Sequence, residues 1–226
     1  MKEPELHQVL SPEGRVVGTL PDIDVDTQLK IYRYMKLIRQ LDERMMILQR
    51  QGRSGFFGAC TGQEATPVAT ASSLEPTYCI FPELREGVAM LYRVYSLETY
   101  VCQVFGNAGD ALKGRQMPSH YADKSVNMVS WSSCIGPQIT QAVGAAWAAK
   151  MRKTKDVTVG FMGDGATSSA DFHTGLNFAG VYQAPCILIC QNNHWSISIP
   201  TTGQTAARTI AEKAIAYGMP YARVDG

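Results

Sequence analysis

An aspartate and an asparagine end two apolar runs in the second half of this sequence. Gly-Asp-Gly at 163–165 closes one run, and Asn-Asn at 192–193 follows the other. A carboxylate oxygen from Asp164 and an amide oxygen from Asn193 are hard ligands of the kind that Mg²⁺ takes, with phosphate oxygens and water completing its shell. The two motifs together therefore predict a site for a metal-bound diphosphate.

The flanking sequence indicates the elements that position these residues. The runs 157–161 and 186–190 are short, apolar and rich in β-branched residues, as strands buried on both faces of a parallel sheet are. Between them, residues 170–182 have the length of a crossover helix. Asp164 and Asn193 then emerge at the carboxyl edge of one sheet, where open α/β folds bind ligands.

Small residues beside Asp164 favour an anion at the same edge. Gly165 follows Gly163 and the aspartate, and its missing side chain lets the backbone approach a ligand closely. The N–H groups of Gly165 and Ala166 lie near a predicted helix start, where the macrodipole favours negative charge. The alternative is that Asp-Gly and Asn-Asn are ordinary turn residues after strands. Their joint occurrence after two strand-like runs favours the ligand site.

The remaining sequence predicts one α/β domain over residues 26–226, preceded by an extended arm over residues 1–25 that is rich in proline and glycine. The fold class is α/β, with a mostly parallel sheet flanked by helices on both faces. Helices are predicted over 26–52, from 63, over 84–92, 96–106 and 138–151, with a strand over 78–81. The long segment 106–127 is predicted to be a functional loop.

Composition excludes several classes of function. The chain has 226 residues and a net charge of +1, which gives no basis for nucleic-acid or membrane-surface binding. Its six cysteines lie in mostly apolar surroundings without a CxxC pair, so reduced thiols are predicted rather than disulfides or zinc. No stretch has the length of a membrane span, and the first residues lack signal or transit character. The expected location is the cytoplasm of a bacterial cell.

Four further stretches carry a resemblance to a known family. They are 114–121 (GRQMPSHY), 138–146 (QITQAVGAA), 171–179 (DFHTGLNFA) and the closing 223–226 (RVDG). With the two motifs above, they make the chain from about Thr27 onward resemble the α subunit of thiamine diphosphate-dependent 2-oxo acid dehydrogenase E1 components, closest to the branched-chain type. The resemblance implies the thiamine diphosphate-binding fold, with thiamine diphosphate and Mg²⁺ as cofactors.

The resemblance also implies roles for individual residues. Mg²⁺ would be bound by the side chains of Asp164 and Asn193 and by the backbone carbonyl of Trp195. The diphosphate side of the cofactor would contact Gly163, Gly165, Ala166 and Gln191 and pair with Arg85, whose guanidinium suits a bidentate anion contact. Ile135 would support the bent cofactor. The alternatives are a surface role for Arg85 and a core role for Ile135.

His120 is the candidate catalytic residue that the resemblance implies. It matches a loop histidine that faces the reacting end of the cofactor, where a group titrating near neutral pH can orient or protonate the 2-oxo acid. A structural hydrogen bond is the alternative for this residue. His173, inside the predicted crossover helix, is predicted to be a packing residue. Phe56, Phe57 and Tyr121 are candidates to line the substrate pocket.

The activity implied by the resemblance is decarboxylation of a 2-oxo acid, followed by transfer of the acyl group to a lipoyl-bearing E2 partner. In this family a glutamate of the β subunit activates the cofactor, so a β-type E1 subunit and an α2β2 heterotetramer are expected.

Three residues depart from the family pattern. Leu84 replaces a tyrosine, Gln191 replaces an arginine near the phosphate, and Pro137 replaces a threonine of a monovalent-cation site, so potassium is not predicted.

The chain ends at Arg-Val-Asp-Gly, whereas family α subunits continue. Three explanations stay open: a split subunit whose other half is a separate chain, a specialised enzyme that forms carbon–carbon bonds (acyloin-type), or a shortened form of a longer chain. A catalytically silent scaffold subunit is a further alternative. Leu84 and Gln191 favour the scaffold, whereas Asp164, Asn193 and the pair Arg85 and His120 favour catalysis.

Overall fold

The computed structural model describes residues 5–226. Its helices and strands follow one another in this order: β1 (Leu6–His7), α1 (Val25–Arg50), α2 (Ala65–Ser73), β2 (Cys79–Phe81), α3 (Gly87–Tyr92), α4 (Leu97–Phe105), α5 (Pro137–Met151), β3 (Thr158–Gly163), α6 (Ala170–Tyr182), β4 (Cys186–Gln191), β5 (Trp195–Ser196), β6 (Ile199–Pro200) and β7 (Arg223–Val224). Short 3₁₀ turns lie at Lys124–Val126, Asp164–Ser168, Thr201–Gly203 and Ala211–Tyr217.

The central sheet is parallel and has the strand order β2-β3-β4. β3 and β4 pair over six residues, from Thr158 opposite Cys186 to Gly163 opposite Gln191. The connecting helix α6 begins and ends at the predicted residues, so the predicted β-α-β unit is confirmed. Asp164 follows the last residue of β3, and the Asn-Asn pair follows β4, which brings both motifs to the carboxyl edge of the sheet.

Helices cover both faces of this sheet. Val159 and Phe161 of β3 belong to a core that they share with α1, α2, α3 and α4. Met162, whose side chain points the other way, packs with Ile139 of α5 and with α6. The predicted layering is therefore confirmed.

One prediction about the strands is wrong. β4 is not buried on both faces, because its residues are partly exposed and Ile187 is 49% exposed. The reason is that, within residues 5–226, β4 pairs with β3 alone and forms the edge of the sheet.

Capping residues set the boundaries of α1 and α4 close to where the sequence predicts them. The Asp24 carboxylate accepts the Thr27 N–H (2.8 Å) at the start of α1, and α4 lies between the Ser96 cap and Gly106, whose φ is 59°. Helix α3 instead begins at Gly87 rather than at residue 84. The Glu86 carboxylate accepts the N–H groups of Glu83 and Arg85 (2.8 and 3.1 Å), which holds this stretch as a loop. Helix α2 begins at Ala65, two residues later than predicted.

The N-terminal arm contacts the end of the chain. β1 pairs in parallel with β7, and Gln8 Nε2 donates to Asp225 Oδ2 (2.9 Å). Residues 5–24 are otherwise mostly exposed, as expected for an arm. The first four residues of the predicted arm, including Pro4, lie outside the described residues, and the division into arm and domain stays a prediction.

All six cysteines lie in the described part of the chain and are free thiols, as predicted. None of the helices in residues 5–226 is long and apolar enough to cross a membrane.

Two helical glycines give a matched test of the packing around α6. A Cβ added to Gly180 would lie 2.0 Å from the backbone oxygen of Tyr217, whereas one added to Gly144 of α5 would meet no atom within 4 Å. We therefore expect Gly180→Ala to lower the free energy of unfolding by about 1–3 kcal/mol. Gly144→Ala should raise it by about 0.5–1 kcal/mol. Chemical denaturation measures both, and a Gly180→Ala protein as stable as the parent would contradict the close packing of α6 against Tyr217.

Candidate functional site

Asp164 lies directly after β3 and is 2% exposed. Its Oδ2 accepts hydrogen bonds from Thr201 Oγ1 (2.8 Å) and Gln204 Nε2 (3.3 Å). Its backbone oxygen accepts from Thr167 Oγ1 (2.8 Å). Within residues 5–226, the side-chain donors that reach the carboxylate both go to Oδ2, so this oxygen is fixed while Oδ1 is left for another ligand. Such preorganisation is what a metal-binding carboxylate needs.

The Asn-Asn pair forms a tight turn beside Asp164. Asn192 Oδ1 accepts the His194 N–H and Asn193 Oδ1 accepts the Trp195 N–H, both at 3.0 Å. His194 has a φ of 68°, a conformation more often taken by glycine. Thr201 connects the turn to Asp164, because its hydroxyl lies 3.5 Å from Asn192 Oδ1.

Gly165 has a packing reason to lack a side chain. A Cβ at this position would lie 2.2 Å from Ser196 Oγ of β5. The close approach of Gly165 and β5 thus brings the Trp195 backbone to the loop that carries Asp164. The roles of Gly163, Gly165 and Ala166 in cofactor binding stay predictions.

The oxygen atoms predicted as ligands at this edge are of the kinds that Mg²⁺ takes. The predicted ligands are a carboxylate, an amide oxygen and a backbone carbonyl, from Asp164, Asn193 and Trp195, and Mg²⁺ prefers oxygen. The Asn193 oxygen accepts one hydrogen bond and keeps a second lone pair. Residues 5–226 contain no cluster of three or more His, Cys, Asp or Glu side chains that could hold a metal, so the candidate site depends on these mixed oxygen ligands.

Glu86 accepts hydrogen bonds from both Gln191 and the Arg85 backbone. Gln191 Nε2, at the end of β4, donates to Glu86 Oε1 (2.8 Å), while Glu86 Oε2 accepts the backbone N–H of Arg85. Burial raises the pKa of Glu86, which is 1% exposed. The Arg85 side chain is on the surface, and its Nη1 donates to the backbone oxygen of Ala59. Gln191 Oε1 is buried and has no hydrogen-bond partner in residues 5–226.

Glu83 is an acidic residue at this edge that motif reasoning missed. It lies two residues after β2, and its Oε2 is 3.4 Å from the position that a Cβ on Gly163 would take. Burial, together with the nearby Glu86 carboxyl, raises the pKa of Glu83 to about 7. The parallel sheet could have revealed it, because residues that follow three adjacent parallel strands meet at one edge.

His120 is buried in the segment 106–127, and both ring nitrogens have partners. Nδ1 lies 3.0 Å from the Pro118 oxygen, and Nε2 contacts Ser133 Oγ. Because a carbonyl only accepts, Nδ1 donates to the Pro118 oxygen, and Nε2 can accept a hydrogen bond from the Ser133 hydroxyl. Gln103 Nε2 fixes the loop by donating to the Met117 oxygen (2.7 Å).

Ser133 precedes Ile135, which is 46% exposed. The contact between His120 and Ser133 thus places the predicted catalytic histidine beside the segment that contains Ile135, the residue predicted to support the cofactor. Ser133 carries no signal in sequence reasoning, because a single serine in a loop has no diagnostic spacing.

The candidate pocket residues divide into two groups. Phe56 is 43% exposed and its ring centroid lies 6.2 Å from that of His120. Phe57 and Tyr121 are core residues instead, and Tyr121 stacks on Tyr100 at 3.8 Å. Their role in lining a substrate pocket stays a prediction. His173 is exposed on α6, and its Nδ1 lies 2.5 Å from the Tyr217 hydroxyl.

Comparison with known proteins assigns the family. Residues 32–226 match the family described as Dehydrogenase E1 component. The chain belongs to the dehydrogenase E1 component family. It is 40% identical over 222 residues to 2-oxoisovalerate dehydrogenase subunit alpha 1, mitochondrial, of Arabidopsis thaliana, which covers 97% of this chain and 47% of the relative. It is 39% identical over 223 residues to 2-oxoisovalerate dehydrogenase subunit alpha, mitochondrial, of Mus musculus, an alignment that covers 98% of this chain and 50% of the relative. It is 41% identical over 224 residues to the protein of the same name from Caenorhabditis elegans, covering 98% of this chain and 52% of the relative.

The chain spans about half the length of these curated relatives. The relatives are named mitochondrial, so the cytoplasmic location expected from the sequence is not confirmed and stays a prediction. The region that matches the E1 component family begins within α1 and runs to the last residue.

The raised pKa of Glu83 has a consequence for the stability of this E1 chain. A carboxyl whose pKa rises from 4.5 to about 7 on folding stabilises the native state below about pH 4.5, and this contribution is lost as pH rises through about 7. Glu83→Gln, which stays neutral, should therefore be more stable than the parent by about 1–3 kcal/mol at pH 8 and by much less at pH 5. Urea denaturation at both values measures this, and an equal difference at pH 5 and pH 8 would contradict it.

Proposed function

We propose that this chain is the α-type part of a thiamine diphosphate-dependent enzyme that decarboxylates a branched-chain 2-oxo acid. The observation that carries the proposal is the buried Asp164 carboxylate, fixed by Thr201 and Gln204 beside the Asn-Asn turn at the carboxyl edge of the sheet. The 2-oxoisovalerate dehydrogenase names of relatives at about 40% identity support the branched-chain substrate class.

In this proposal the chain holds the diphosphate end of the cofactor. Asp164, Asn193 and the Trp195 carbonyl would hold Mg²⁺, whose positive charge would favour the diphosphate, and Arg85 would add positive charge once it exchanges its contact with Ala59. The N–H groups of Gly165 and Ala166 face the anion, and Ile135 supports the ring portion. Bound thiamine diphosphate supplies the electron sink for decarboxylation. The fold class is then the thiamine diphosphate-binding fold.

His120 acts at the reacting end. Its Nδ1–H is fixed by the Pro118 oxygen, which orients the ring and leaves Nε2 as the nitrogen that accepts a proton. The Ser133 hydroxyl contacts Nε2, and a hydroxyl of the bound substrate can replace it as the donor to this nitrogen. Phe56 beside the ring limits the access of water to this position.

The proposed partners follow from the family. A β-type E1 subunit completes the active site in an α2β2 heterotetramer, and a lipoyl-bearing E2 protein accepts the acyl group.

A scaffold subunit is the second candidate. Two observations favour it: Gln191 is bound to Glu86, and Arg85 to a backbone oxygen. Both side chains are therefore engaged away from a phosphate. A third candidate, an acyloin-forming enzyme, would share the same cofactor site.

An assay of the chain co-expressed with a β-type partner tests the proposal. Decarboxylation of 2-oxoisovalerate, followed as carbon dioxide release or reduction of an artificial electron acceptor, should require thiamine diphosphate and Mg²⁺. Turnover without acyl transfer but with carbon–carbon bond formation would favour the acyloin-forming enzyme. No turnover with any branched-chain 2-oxo acid, in an assembled complex, would favour the scaffold.

A further inference from the structure

A cavity of about 430 Å³ lies beside the 3₁₀ turn that follows β3, and it contains none of the proposed metal ligands. Its lining includes Thr167 and Ser168 of that turn and Gln204, Thr205 and Lys213 from the segment after β6. Among the described residues that line it, none is an aspartate or glutamate, and Lys213 is the one lysine or arginine. We call it the Lys213 cavity. A cavity with a lysine and no carboxylate favours an anion as its ligand.

Lys213 has no acidic partner to balance its charge. Its Nζ donates to Thr167 Oγ1 (3.0 Å) and to the Thr167 backbone oxygen (3.3 Å), and it lies 5.6 Å from the centre of the Phe172 ring. The ion pairs found within residues 5–226 do not include Lys213. An ammonium group has three N–H donors, so one of them is left for a ligand. Partial burial lowers the pKa of Lys213, because the charged form lacks solvent there, and a bound anion would stabilise that form.

Hydroxyl groups in the Lys213 cavity add donors that suit phosphate oxygens. The Thr205 hydroxyl oxygen accepts the Ala207 N–H (3.2 Å), which leaves its own proton for a further acceptor. The Ser168 side chain is exposed at the cavity. A lysine acts on phosphate as a point charge, whereas a carboxylate ligand is matched best by the planar fork of an arginine. The donor set therefore favours phosphate over carboxylate.

We propose that the Lys213 cavity binds a small phosphate monoester, with the Lys213 ammonium as the charged partner of the phosphate group. The hydroxyls of Ser168 and Thr205 donate to the remaining phosphate oxygens. A monoester is favoured over the free ion because the cavity has the size of a small-molecule site and exceeds what inorganic phosphate requires.

The Lys213 cavity adjoins the Asp164 site without being part of it. Thr167 Oγ1, which Lys213 contacts, donates to the Asp164 backbone oxygen (2.8 Å), and Gln204 Nε2 donates to Asp164 Oδ2 (3.3 Å). The phosphate proposal does not depend on the proposed function, because it uses none of the proposed metal or diphosphate ligands.

Calorimetry of the full chain in a phosphate-free buffer tests the proposal. Glycerol 3-phosphate, inorganic phosphate and glycerol are titrated into the parent, Lys213→Gln, Lys213→Arg and Lys155→Gln, which removes an exposed lysine elsewhere and serves as the matched control. Lys213→Gln should bind glycerol 3-phosphate about 10-fold or more weakly than the parent, because it loses a charge-assisted hydrogen bond. Lys213→Arg keeps the charge and should stay within about 5-fold of the parent, and Lys155→Gln should match the parent. Glycerol should not bind.

Thermal unfolding without ligand identifies any variant that is misfolded, and four results would overturn the proposal. The first is a parent that does not bind glycerol 3-phosphate at millimolar concentration, and the second is a Lys213→Gln protein with the affinity of the parent. The third is a loss of binding in Arg85→Gln but not in Lys213→Gln, which would place the phosphate at the proposed diphosphate site. The fourth is equal affinity for inorganic phosphate, which would exclude the monoester. None of these results bears on Mg²⁺-dependent binding of thiamine diphosphate, so the proposed function is tested separately.

Discussion

Replacing Asp164 with alanine should abolish Mg²⁺-dependent binding of thiamine diphosphate. The carboxylate is the only charged ligand among the three proposed ones, and it is already oriented by Thr201 and Gln204. Loss of an outer-shell partner of a metal ligand typically costs about 10–100-fold in affinity, so loss of the ligand itself should cost more than about 100-fold. Calorimetric titration of cofactor in the presence of Mg²⁺ measures this.

Two further variants control for folding. Asp164→Asn keeps the shape of the side chain and an oxygen for its neighbours, so it should fold and still lose most of the affinity. Asp22→Ala removes an exposed carboxylate from the arm and should bind as the parent does. Thermal unfolding without ligand identifies any variant that is misfolded. Parent-like affinity in a folded Asp164→Asn protein would remove Asp164 from the metal site.

Replacing His120 with alanine should reduce turnover far more than cofactor affinity. The buried ring presents Nε2 toward Ser133 and lies outside the proposed metal and diphosphate ligands. Proton transfer by a positioned side chain contributes about 10²–10⁴-fold to a rate, so kcat should fall by about 100-fold or more. Steady-state assays of the complex with a β-type partner give kcat, and calorimetry gives the cofactor affinity.

His173→Ala is the matched control, because this histidine lies exposed on α6 and hydrogen-bonds Tyr217. It should leave kcat within about 2-fold of the parent, as surface substitutions generally do little. Ser133→Ala, which removes the partner of Nε2, should change the pH dependence of kcat without loss of cofactor binding. If His120→Ala and His173→Ala have the same kcat, His120 has only a structural role.

The β-α-β unit could be predicted from sequence because its signals are local and consistent. Apolar runs with β-branched residues predicted β3 and β4, and the length between the runs predicted α6, whose start the Ser169 side chain caps in the structure. Parallel pairing then placed Asp164 and the Asn-Asn turn at one edge without knowledge of any contact.

Other features depend on contacts that no local pattern encodes. The Glu86 carboxylate accepts the backbone N–H groups of Glu83 and Arg85, and α3 therefore begins only at Gly87. Thr201 and Gln204, which orient Asp164, come from a segment more than 35 residues further along the chain. The exposure of β4 could not be predicted either, because burial of an edge strand depends on what pairs with it.

The most direct test of the account measures thiamine diphosphate binding by calorimetry, with and without Mg²⁺, on this chain alone and co-expressed with a β-type partner. We expect tight binding that requires Mg²⁺ and the partner, because Asp164 and Asn193 are proposed to form one half of a shared site. The absence of binding in the assembled complex would contradict it, and Gly163, Asp164 and Gly165 would then form only a turn.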